Sequence, residues 1–231
     1  MAELVEHINA VRQRIRNATQ QCGRTHEPLL LAISKTRSPA EILSAQQVGL
    51  VHFGENYLQE ALAKIEALKN HALIWHFTGP IQSNKTRLIA ENFNWVHSVD
   101  RLKIAERLNE QRPAELGKLQ VCVQVNIDRE NSKAGVDPDV LATLFRELSQ
   151  LDRLQLRGLM AIPAAEGDYA QRKAAFAKMA TLLKDLQMQF PNLDTLSMGM
   201  SDDLELAIAE GATIVRVGSA IFGSRLRKTE S

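Results

Sequence analysis

Leu29-Leu30-Leu31-Ala32-Ile33-Ser34-Lys35-Thr36 is an apolar run of five residues that follows Pro28 and meets a lysine two positions after its end. An unbroken apolar run of that length reads as a strand buried on both faces, the kind found in parallel sheets. Burying an ammonium is costly, so lysines ordinarily sit on helices or loops. Two readings are open for Lys35. Either it marks where the strand emerges into water, or it is desolvated at the strand mouth, where a neutral amine is a nucleophile towards carbonyls.

Upstream, Leu4, Ile8, Val11 and Ile15 recur at helical spacing among charged neighbours, which predicts an amphipathic helix over residues 3–21, stopped by Gly23. Downstream, Ser38-Pro39 predicts a capped helix with proline in its first turn, running to Gly49. A rhythm then sets in. Strands are expected over 51–54, 73–78, 95–99, 119–127 (the longest), 154–162, 193–198 and 214–217. Helices are expected between them, with Asp100 and Ser201 capping those after the fourth and seventh strands and a long one over 169–190. With the first strand this makes eight βα units, and regular alternation implies a parallel sheet. Eight units in this length match a single (β/α)8 TIM barrel with an extra N-terminal helix, one domain over residues 1–231. An open doubly wound sheet would ordinarily carry a Gly-rich first turn, and no GxGxxG occurs.

The bulk properties narrow the function classes. A formal net charge of +1 over 231 residues gives no electrostatic case for nucleic acid. Cys22 and Cys122 are no disulfide framework, and Cys122 reads as a small hydrophobe within a strand. No signal-peptide core and no apolar run of membrane-spanning length is present, so a cytoplasmic protein without membrane contact is expected.

In a barrel of this kind active sites lie at the C-terminal strand ends, where Lys35 sits, and the loops after strands seven and eight most often hold a phosphate. Those loops contain Met198-Gly199-Met200-Ser201-Asp202 and Gly218-Ser219-Ala220. Gly218 admits close backbone approach to an anion, Ser219 adds a hydroxyl, and Ser201 is expected to open a helix. A plain cap and a plain turn are the structural alternatives. Arg216 interrupts the apolar strand Ile214-Val215-Arg216-Val217 and needs a partner. That partner is either a carboxylate on a neighbouring strand or an acceptor on a ligand. A nucleophilic lysine, a phosphate pocket and a strand-borne arginine together describe a site for pyridoxal 5′-phosphate, with a Schiff base on Lys35 and Arg216 facing the pyridine nitrogen. An arginine there keeps that nitrogen unprotonated and weakens the ring as an electron sink.

Ile33-Ser34-Lys35-Thr36, Phe53-Gly54-Glu55-Asn56-Tyr57, Trp75-His76-Phe77-Thr78-Gly79-Pro80-Ile81-Gln82-Ser83-Asn84-Lys85, Ser197-Met198-Gly199-Met200-Ser201-Asp202-Asp203 and Val215-Arg216-Val217-Gly218-Ser219-Ala220-Ile221-Phe222-Gly223 resemble, block by block and in order, the YggS/PROSC family of pyridoxal phosphate homeostasis proteins. Members look like the barrel domain of bacterial alanine racemase. The resemblance implies Lys35 as the cofactor lysine, Ser201, Gly218 and Ser219 around the phosphate, Arg216 at the ring nitrogen, and Asn56 and Met198 lining the cofactor. Thr78 departs from the aliphatic residue expected at its place.

Other candidates have bland readings beside the chemical one. His76 reads as a hydrogen-bonded core histidine, or else points into the barrel mouth. Lys133 is a solvated loop lysine or a second anion or aldehyde site. Asp202-Asp203 suit a helix start. Gly79 to Thr86 approach the G-x-x-x-x-G-K-[ST] pattern, but Asn84 replaces the second glycine and Pro80 removes a donor, which argues against a nucleotide hydrolase. No GxSxG, HExxH or CxxC occurs. The expected role is a monomeric carrier that holds the cofactor and passes it to apoenzymes, not an enzyme. A weak amino-acid racemase or lyase is the alternative. The resemblance implies that a racemase would need a second acid–base tyrosine from a further β-domain, which the chain is expected to lack, although Tyr57 and Tyr169 fall at helix starts on the active face.

Overall fold

The structure, a computed structural model, describes residues 2–130, 134–163 and 168–223. Eight parallel strands close into a barrel in chain order: β1 Leu29–Ile33, β2 His52–Glu55, β3 Ile74–Phe77, β4 Trp95–Val99, β5 Leu119–Gln124, β6 Leu154–Met160, β7 Thr195–Ser197 and β8 Ile214–Val217. Closure is made by β1 against β8, with Leu31 beside Arg216. The strands are short and almost wholly buried, because helices cover the outer face while side chains fill the interior. The expected barrel is therefore the observed one.

Helices α1 Ala2–Gln21, α2 Pro39–Gln47, α3 Leu58–Ala67, α4 Thr86–Asn92, α5 Leu102–Gln111, α6 Leu141–Leu148, α7 Tyr169–Gln187, α8 Leu204–Ala209 and α9 Ser219–Phe222 follow in chain order. None among the described residues is long and apolar enough to cross a membrane. The extra helix α1 buries Ile8, Val11, Ile15 and Ala18 and packs on α8 and α9, covering the end of the barrel wall that follows β7 and β8. Ser38 caps α2 in a reciprocal capping box with Glu41, as Ser-Pro at its head predicts.

Three local expectations are corrected. The longest strand is β6, with seven residues against six in β5, whose register with β6 ends at the pair of Gln124 and Met160. Arg101, not Asp100, holds the N-cap position of α5, and the carboxylate of Asp100 turns to the Arg101 guanidinium at 2.7 Å. The N-cap of α8 is Asp203, so Ser201 lies in the turn before that helix and does not open it.

Candidate functional site

A cavity of about 440 Å3 lies at the C-terminal ends of the strands, walled by Lys35 beyond β1, Asn56 after β2, Thr78 after β3, Ser201 after β7, and Arg216 and Gly218 at the end of β8. Lys35 faces it because β1 alternates. Leu31 and Ile33 point to the barrel axis, where a side chain at Gly54 would strike them, and Lys35 is the next residue in that row.

The turn that carries Lys35 is held from behind by a buried charge cluster. Lys64, on the inner face of α3, donates to the Ser34 carbonyl at 2.7 Å and to Glu55 Oε1 at 2.8 Å, and also pairs with Glu60. Ser34 Oγ donates to the same Glu55 oxygen at 2.6 Å, and Glu60 Oε1 accepts from the Thr36 amide at 2.5 Å. Thr36 has φ +65°, a left-handed conformation that a β-branched residue adopts only when its surroundings impose it. Residues on both sides of Lys35 are thus fixed by one ammonium and two carboxylates. Burial pushes the Glu55 carboxyl up, against the opposing pull of Lys64 and Ser34.

Arg216 forms part of the cavity floor. Its guanidinium donates to the Ser197 carbonyl at 2.5 Å, to Ser197 Oγ at 2.9 Å and to the Ala161 carbonyl at 2.9 Å. The neighbouring-strand carboxylate that a structural arginine would pair with is not among these partners. Desolvation lowers its pKa to about 10, which leaves it cationic at neutral pH. Beneath it a row of histidines crosses the interior. His97 Nδ1 lies 2.8 Å from Ser197 Oγ, His97 Nε2 lies 2.9 Å from His76 Nδ1, and His76 Nε2 lies 2.9 Å from His52 Nδ1. Burial lowers all three pKa values, His97 to about 3 with Arg216 adding to the effect, and His76 well below its ordinary range.

Next to β1 around the barrel mouth, Ser219 Oγ and Ser201 Oγ are 3.1 Å apart and the Ala220 amide donates to Ser201 Oγ at 3.4 Å, joining the loops after β7 and β8. Arg14 of α1 grips the first loop from outside through the Ser201 carbonyl at 2.9 Å and Glu205 at 2.6 Å. A Cβ on Gly218 would meet the Ile33 carbonyl at 3.3 Å, a tight contact, so the backbone just after β8 approaches β1 most easily with glycine there.

Of the sequence-derived residues, Lys35, Asn56, Ser201, Arg216, Gly218 and Ser219 converge on this cavity. Met198 does not. Ser197 points inward, so the next residue points outward, and Met198 is fully buried in the core while Met200 lines the cavity. Thr78 has a positioning part: its hydroxyl donates to Asn56 Oδ1 at 3.2 Å. Gly79 is required because a Cβ would lie 2.1 Å from the Asn56 carbonyl, which accounts for the first glycine of the near-Walker stretch without a nucleotide. His76 is a hydrogen-bonded core histidine, and Cys122 is a buried thiol pushed up to about 12. Lys133 lies outside the described residues. Sequence reasoning missed Ser34, Glu55, Glu60 and Lys64, and it missed His52, His97 and Ser197. A signal for the histidines existed: Val51-His52-Phe53, Trp75-His76-Phe77 and Val96-His97-Ser98 repeat one pattern on three successive strands.

The family described as alanine racemase, N-terminal domain, matches residues 7–226. A pyridoxal phosphate homeostasis protein of Pseudomonas aeruginosa is 57% identical over 226 residues, 97% of each chain. That of Escherichia coli K12 is 49% identical over 229 residues, 97% of this chain and 98% of the relative. The structure of PipY from Synechococcus elongatus with PLP bound aligns at a TM-score of 0.84 and 39% identity, over 95% of this chain and 100% of PipY. With the same barrel and near-complete coverage at such identities, this chain belongs to the pyridoxal phosphate homeostasis proteins, within the alanine racemase N-terminal domain family.

Proposed function

We propose that residues 1–231 form one barrel unit that binds pyridoxal 5′-phosphate through a Schiff base on Lys35 and serves in cofactor homeostasis, passing the cofactor to apoenzymes as a monomer in the cytoplasm. The observation that carries this reading is Arg216. It is a buried guanidinium on the floor of the cavity, bonded to neutral oxygens, in the same cavity as an amine presented by a strained and clamped turn. Such a cation suits a neutral ring nitrogen, an acceptor that brings no charge of its own. Ser201, Ser219 and the close-packed Gly218 would take the phosphate, and Asn56, steadied by Thr78, would lie along the ring. When bound, the cofactor supplies an aldehyde that condenses reversibly with a primary amine and releases water. Reversibility of that link is what a carrier needs. The PLP-bound relative and the names of the curated relatives support the reading.

The test is an absorbance spectrum of the purified protein before and after borohydride reduction, with the modified residue located by mass spectrometry. A visible band that reduction removes, a reduced adduct at Lys35 and loss of the band in Lys35→Ala are expected. An adduct elsewhere overturns the assignment. Incubating the loaded protein with single-enantiomer amino acids in heavy water separates carriage from turnover, since a carrier leaves the α-hydrogen unexchanged.

A further inference from the structure

We infer that Arg216 sets the direction of one hydrogen-bonded chain through the barrel, in which Ser197 and His97 are positioning residues for its guanidinium and all three histidines are neutral with the proton on Nε2. Its bearing on the cofactor rests on the reading that Arg216 meets the ring nitrogen; the chain itself does not.

The argument is one of donors and acceptors. A guanidinium has only N–H groups to offer, so Ser197 Oγ accepts from Arg216. Ser197 then has one hydrogen to place in a fully buried setting, and a buried donor left without an acceptor is costly. The acceptor at hand is His97 Nδ1, at 2.8 Å. His97 must then carry its proton on Nε2 and donate it to His76 Nδ1, and His76 in turn donates from Nε2 to His52 Nδ1. The reverse order would give Ser197 Oγ two donors, Arg216 and His97, and strand its own hydrogen. One fixed charge at the cavity therefore decides three tautomers.

Register keeps the row continuous. Gly54 pairs with His76, two residues beyond His52, and Trp95 pairs with His76, two residues before His97. A step of two per strand holds every imidazole on the inner face and runs the row diagonally to the half-buried His52 at the start of β2. Trp95 stacks on His76 with ring centres 5.3 Å apart, and Arg157 stands 4.8 Å over Trp95, closing the interior beneath the row. The arrangement bonds the guanidinium only through neutral groups, so its orientation is set while its charge stays available to a ligand.

The deciding experiment is nitrogen-15 NMR of the histidine rings in the full-length protein, before and after saturation with pyridoxal 5′-phosphate, at neutral pH. His76 and His97 are expected as neutral Nε2–H tautomers in both states. An Nδ1–H tautomer or an imidazolium at either position overturns the chain. Alongside it, an absorbance titration with pyridoxal 5′-phosphate compares variants. Ser197→Ala and His97→Leu are expected to weaken binding about fivefold, the worth of one net hydrogen bond of about 1 kcal/mol. His97→Asn, whose amide oxygen supplies an acceptor near the lost Nδ1, is expected to restore most of it. Equal losses in His97→Asn and His97→Leu overturn the positioning role. Absence of any visible band in the unaltered protein would instead sink the cofactor reading, leaving the NMR result to decide the chain alone.

Discussion

Lys64 and Arg216 are 4% and 5% exposed, yet their surroundings are opposites. Lys64 sits between barrel and helix layer with two carboxylates, Glu55 and Glu60, within bonding distance. Arg216 sits inside the barrel with two carbonyls and a hydroxyl. Desolvation penalises both, but only the first is repaid by carboxylates in direct contact; Asp203 acts on Arg216 electrostatically without being among these hydrogen-bond partners. The difference separates structure from function. A cation whose charge is spent on carboxylates holds the Lys35 turn in shape, whereas the one bonded to two carbonyls and a hydroxyl sits on the cavity floor with no carboxylate among those partners.

The contrast can be broken by removing each cation. Lys64→Met leaves Glu55 and Glu60 without their buried partner and should destabilise the fold by about 3–5 kcal/mol in urea unfolding. A loss under about 1 kcal/mol would mean that the cluster is not a working ion pair. The neutral side can be sharpened by acid. Burial holds His97 at a pKa of about 3, against an ordinary value of 6.5, and lowers His76 and His52 as well. Between those values the unfolded chain takes up protons that the folded chain refuses. Stability is therefore full above about pH 6.5 and falls as pH drops below it, by about 1.4 kcal/mol per pH unit for His97, with His76 and His52 acting in the same direction. Unfolding midpoints measured from pH 7.5 down to about 5 should follow that slope, and His97→Asn should flatten it. A smaller loss is expected at Arg216. Arg216→Met removes a buried cation without stranding a carboxylate but takes the donor from buried carbonyls, so the cofactor-free protein should lose about 1–3 kcal/mol, less than Lys64→Met, while affinity for pyridoxal 5′-phosphate falls. Destabilisation as large as that of Lys64→Met would erase the distinction between the two.

How far the chain could be read without coordinates follows from where each signal lies. The barrel was legible because apolar runs, caps and turns are written within a few residues of one another; Ser38, Pro39 and Glu41 specify the start of α2 by themselves. Lys35 and Arg216 were legible because one lies just beyond an apolar strand and the other interrupts one. Cap positions one to two residues out, as at Asp100 and Ser201, failed because several polar residues compete at a helix start and backbone geometry selects among them. Met198 falls off the cavity wall because inward or outward facing depends on strand phase, and a shift of one residue reverses it.

The amino-acid sequence by itself determined the order of strands and helices, the closure class of the sheet, and a lysine and an arginine placed at strand ends, since all of these are short-range patterns of polarity. Only the tertiary structure decided which charges meet. Lys64 reaches Ser34 across 30 residues, and His97 reaches Ser197 across 100. Such partners are chosen by register and barrel closure, which bring together side chains that no local periodicity relates.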